Sequence, residues 1–208
     1  MTRRRAADPA WAWFASKTPD CAPLDDPFNA SDEFAGRSIP WPEWACRAPD
    51  GGVHVDARCS QVHVRVVRKP SDQLEFGWTC NFGVRLIARR WLSLIEDLVE
   101  EPYTFIGDVV AAGRRLDDWS TLHGRLTPPL LSSEGSSKTC PICGDVYAMI
   151  RGRTFFADPR AREMPLIVNR SGLFIRKDIF ERRDLPTPAG AFRPVWVRLD
   201  DDFHQTPA

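Results

Sequence analysis

Val84-Arg85-Leu86-Ile87-Ala88-Arg89-Arg90-Trp91-Leu92-Ser93-Leu94-Ile95-Glu96-Asp97-Leu98-Val99 is the stretch on which the fold class turns. Ile87, Trp91, Leu94, Ile95 and Leu98 recur at helical spacing and form one apolar stripe, so the periodicity predicts the principal helix of the chain. Pro102 stands where such a helix has to end. The arginines near its start and the acids near its end oppose the helix dipole, so tertiary packing has to hold it.

Strand patterns flank this segment. Val53-His54-Val55 and Gln61 to Val67 alternate apolar and polar residues, Lys69-Pro70-Ser71-Asp72 reads as a turn, and a third strand is expected around Leu74 to Cys80. Together they predict a β-meander. Further on, strands are expected at Tyr103 to Val110, Leu166 to Val168, Leu173 to Ile175 and Val195 to Leu199, with a short helix over Ile175 to Arg183. The fold class that follows is α+β: an antiparallel sheet, one principal helix and a zinc-knuckle-like hairpin.

Residues 1–50 are rich in Pro, Asp and aromatic side chains, among them Trp11, Trp13, Phe14, Trp41 and Trp44, without sustained periodicity. They read as an irregular segment anchored by its rings, ahead of a single α+β domain over 51–208. Asp200-Asp201-Asp202 reads as the close of the ordered part.

The 208 residues are 43% hydrophobic and 27% charged, the composition of a globular protein. Lys plus Arg and Asp plus Glu both number 28, which removes the simplest electrostatic case for a nucleic-acid binder. No apolar run approaches the roughly 20 residues that cross a bilayer, and the Arg3-Arg4-Arg5 start is not followed by the apolar core of a signal peptide. A cytoplasmic location without membrane association is expected.

Chemistry concentrates in Cys140-Pro141-Ile142-Cys143-Gly144. Two thiolates separated by two residues point into one small space, with Pro141 stiffening the turn and Gly144 free to take positive φ. Zinc is the cofactor this predicts, with Cys140 and Cys143 as metal ligands, but a closed structural site needs four. Cys21, Cys46, Cys59, Cys80, His54, His63, His123 and His204 are the available completing ligands, and none forms a second Cys-x-x-Cys pair. Val146 to Ile150 and Thr154 to Ala157 are expected to pair across Arg151-Gly152-Arg153, placing the knuckle and hairpin near 138–157. A thioredoxin-like role fits poorly, because Gly144 to Tyr147 reads as the start of a strand rather than a helix. No nucleophile elbow, zinc-protease, P-loop or dinucleotide motif is present, so no catalytic residue is assigned and a non-enzyme is expected.

The run from Cys140 to Gly144, followed by Phe155 and Phe156, Leu166-Ile167-Val168 and Gly172-Leu173-Phe174, resembles the C-terminal part of bacterial double-CXXCG-motif proteins. It covers about the last third of the chain; the earlier CXXCG typical of the family has no counterpart here. Some of that family act as immunity partners of secreted antibacterial toxins. The resemblance implies binding rather than catalysis, with a cognate toxin protein as partner, and it transfers only Cys140, Cys143 and Gly144. The alternative is a zinc-ribbon-like nucleic-acid-binding protein, suggested by the knuckle and by the arginines between Arg151 and Arg183.

Overall fold

The computed structural model describes residues 10–15, 43–49, 53–79, 84–100 and 102–199. In chain order the elements begin with β1 (Ala10–Phe14), β2 (Ala45–Arg47), β3 (Val53–Val55), β4 (Val64–Val66), β5 (Phe76–Trp78) and β6 (Arg85–Ala88). One helical turn, α1 (Arg89–Leu92), leads to β7 (Thr104–Ala111), β8 (Arg114–Gly124), β9 (Leu131–Ser132), β10 (Ser137–Thr139), β11 (Val146–Ala148) and β12 (Thr154–Phe156). The last elements are β13 (Leu166–Asn169), β14 (Gly172–Arg176), α2 (Lys177–Arg183) and β15 (Val195–Leu199).

The architecture is α+β and strand-rich. A five-stranded sheet runs β4-β7-β8-β6-β5 and a six-stranded sheet runs β13-β14-β1-β15-β12-β9. Pairing is antiparallel except for β4 with β7 and β12 with β15. The two sheets pack face to face over Ala12, Phe14, Phe76, Ile87, Leu122, Val168, Leu173 and Ile175, with Trp91 and Ile179 closing the edge. Their outer faces are covered as well: Trp44, Val64, Leu86 and Trp119 on one side, Trp11, Phe156, Ile167 and Phe174 on the other.

This double covering explains the largest departure from the sequence reading. The principal helix expected over Val84 to Val99 is not formed; its first half is β6, hydrogen-bonded between β5 and β8, and only Arg89–Leu92 is α-helical. All four residues of β6 are buried, so the polar-apolar alternation that marks a half-buried strand is missing and a helical stripe emerges by coincidence. Trp91, Ile95 and Leu98 are buried as the stripe required, but Leu94 is 40% exposed. After α1 the chain tightens: Leu94 N–H donates to the Trp91 carbonyl and Ile95 N–H to that of Leu92, and a 3-10 turn follows over Glu96–Leu98.

The meander is also replaced, because β3, β4 and β5 each pair elsewhere: with β2, β7 and β6. The N-terminal segment expected to be irregular contains two strands, β1 and β2. β1 lies between β14 and β15, and its period-two pattern sends Trp11 to the outer cluster and Ala12 and Phe14 to the inner one. Trp41, Cys21, Cys80, His204 and Asp200 to Asp202 lie outside the described residues. The hairpin predicted between Val146 to Ile150 and Thr154 to Ala157 gives way to a different one: β11 pairs with β10, while β12 joins β9 and β15. The β13-β14 hairpin and β15 stand where the sequence places them.

Candidate metal centre

Two small ribbons, β2-β3 and β10-β11, meet beside the five-stranded sheet. In the first, Cys46 lies directly opposite His54, and opposed residues of an antiparallel pair project from the same face. In the second, Cys140 to Gly144 closes the turn between the strands. Gly144 N–H donates to the Cys140 carbonyl at 2.9 Å and Cys140 N–H to the Asp145 carbonyl at 2.8 Å. Gly144 has φ of 77°, a conformation a side chain would strain.

The ribbons converge on four side chains. Cys46 Sγ stands 3.8 Å from Cys140 Sγ, His54 Nε2 stands 3.2 Å from Cys143 Sγ, and all four donor atoms lie within 4.8 Å of one another. A tetrahedron with metal–sulfur bonds of about 2.3 Å has edges of roughly 3.5–3.8 Å, so this spread is close to that of a four-coordinate ion. Cys46, His54 and Cys143 are buried and Cys140 is half-buried. These residues lie close enough to hold a metal ion.

The electrostatics follow from that crowding. Burial, reinforced by the adjoining Cys143 and Cys140 thiols, pushes the Cys46 thiol up to about 12. At Cys140 burial acts in the same direction, but hydrogen bonds from the backbone of Cys143 and Ile142 and from the neighbouring thiols outweigh it and lower the value. Asp145 lies 4.0 Å from His54 Nε2 and 3.3 Å from Arg170, so the site's edge carries a matched pair of charges.

Of the ligands expected from sequence, Cys140 and Cys143 are both in the cluster. Cys46 and His54 complete it, although the sequence reading left them among eight alternatives. The available signal is their placement: each lies four residues from Asp50 in a Pro-Asp-Gly-Gly run, as cross-strand partners about a turn do. The other described alternatives lie outside the cluster. Cys59 Sγ donates to the Gln61 carbonyl, His63 Nδ1 accepts from Asp108 N–H at 3.0 Å, and His123 lies on β8. Comparison with known proteins returns no matching family model and no matching curated protein.

Proposed function

We propose that this chain is a non-enzymatic binding protein whose two ribbons are clasped by one zinc ion, and most concretely a cytoplasmic immunity protein that masks a cognate antibacterial toxin. The observation that carries the reading is the closed donor set. Three cysteines and one histidine supply four donors, the number that fills a tetrahedral zinc shell without the water position a catalytic zinc keeps open. The ion therefore serves shape: it fixes the β10-β11 hairpin, which displays Ile142, Tyr147 and Met149, each between 43% and 50% exposed. Exposed apolar side chains on one short hairpin suit a protein partner.

The arrangement of basic residues favours this over the nucleic-acid alternative. Arg160 pairs with Asp158, Arg170 with Asp145, Arg176 with Asp178 and Arg183 with Asp97, so these charges are matched within the chain. The limited likeness to double-CXXCG proteins adds the toxin partner. Co-expression with the toxin encoded beside this gene tests the reading: growth should be rescued, and lost again when Ile142 and Tyr147 are both replaced by Asp. Absence of rescue by the unaltered chain would remove the immunity assignment.

A further inference from the structure

Beside the metal centre, β3, β6, β8 and β13 enclose a cavity of about 70 Å³. The sheets approach closely at its back, where a Cβ on Gly124 would collide with the Val168 carbonyl oxygen. Its polar lining comprises Arg85, His123, Thr127, Asn169, Arg170 and Asp145, together with the ligand His54.

Arg85 is the unusual member. It is 5% exposed, and burial pushes its guanidinium down only to about 10, so it stays charged at neutral pH. One Nη donates to the Arg170 carbonyl, the group lies 5.8 Å from the Trp78 ring centroid, and Nε has no partner. Among the described residues no carboxylate comes within ion-pair reach of it. An isolated buried charge costs several kcal/mol unless an opposite charge joins it. His123 Nε2 is likewise buried without a partner.

The remaining liners do not supply that charge. Thr127 donates to the Val168 carbonyl, and Asn169 is used up between the Pro128 carbonyl and the Ser171 N–H. Asp145, the only acid among the described lining residues, is taken by Arg170. We propose that this cavity takes a small oxyanion, held by the buried Arg85 guanidinium, with Arg170, which meets Asp145 through Nη1 alone, adding an N–H donor at the rim. A planar guanidinium presents its N–H fork to two oxygens of one such group, which a monatomic anion does not match.

The test is thermal unfolding and calorimetric titration of the full chain with phosphate, sulfate or formate against chloride at equal ionic strength. Saturable stabilisation by one or more of the oxyanions and none by chloride is the expected result. Phosphate and sulfate acting alone would mark a tetrahedral ligand; formate acting as well would mark a carboxylate. Arg85→Met should weaken binding about thirtyfold or more, the loss that follows when a buried charge partner is removed. Should that variant not fold, Arg170→Gln, altered at a side chain already 39% exposed, should weaken it several-fold. A rise that never saturates is the general salt effect of excluded anions. That result, or undiminished binding by folded Arg85→Met, would overturn the site.

Discussion

The six-stranded sheet and the pair of ribbons are both assembled from short strands, yet they are held by different physics. The sheet is covered on both faces by rings. Trp11 meets Phe156 edge-on at 5.2 Å, Phe156 meets Phe174 at 5.0 Å, and Phe14 meets Trp91 at 6.0 Å. Each ribbon has two strands of three residues, too few to be stable alone in water. β10 is exposed along its whole length, and Tyr147 and Met149 face solvent. β10 and β11 contain no fully buried residue and β2-β3 packs Ala45 and Val55 against the neighbouring cluster, but the two ribbons share four donor atoms at one point. One region is held by apolar burial and the other carries the donor set for chelation, so with an ion bound they should fail under different insults.

The sharpest way to break the comparison is to remove the metal. Purified protein should carry one zinc per chain. Chelation, or Cys143→Ser, should destabilise it by about 5–10 kcal/mol, below the roughly 10–16 kcal/mol seen when zinc organises an entire small peptide. Element analysis and calorimetric melting check this, with Cys59→Ser, outside the cluster, unchanged in both. The opposite insult is Trp11→Ala. It should cost about 3–5 kcal/mol by leaving a cavity among Phe156, Phe174 and Met164, with zinc content intact.

A smaller effect comes from His123, which lines the cavity between the two regions. Burial is the main cause that moves its imidazole down from 6.5 to about 4, against the opposing pull of the Cys59 backbone and Asp56. A depressed value means the folded state favours the neutral ring. Its contribution is complete above pH 6.5 and is lost as pH falls toward 4, a change on the order of 3 kcal/mol. Across that window wild type should lose about 3 kcal/mol relative to His123→Gln as the solution is acidified, read by denaturant unfolding at each pH. Metal release is common to both curves, so their difference isolates the ring.

How much of this was legible in sequence depended on how local each signal is. Leu166-Ile167-Val168 and Leu173-Phe174-Ile175 flank the Asn169 to Gly172 turn, and the hairpin could be read because both strands and their turn lie within eleven residues. β6 was unreadable as a strand for the opposite reason: Ile87 faces one apolar cluster and Leu86 and Ala88 another, so both faces are covered by residues distant in the chain. The metal centre divides in the same way. Cys140 and Cys143 share one turn and announce themselves, whereas Cys46 and His54 acquire meaning only when two ribbons are brought together. Arg85 carried no signal at all, since burial of a lone guanidinium is a property of the assembled sheets.

The separation of the donors along the chain has a consequence for biosynthesis. Cys46 precedes Cys140 by 94 positions, and β1 finds both its neighbours only in β14 and β15. At translation rates of about 5–20 residues per second, the nascent polypeptide carries the Cys46 thiol for roughly 5–20 s, and the tryptophan-bearing β1 for roughly 8–40 s, before their counterparts leave the ribosome. A four-donor site therefore cannot close on an ion until the Cys140 to Gly144 knuckle emerges.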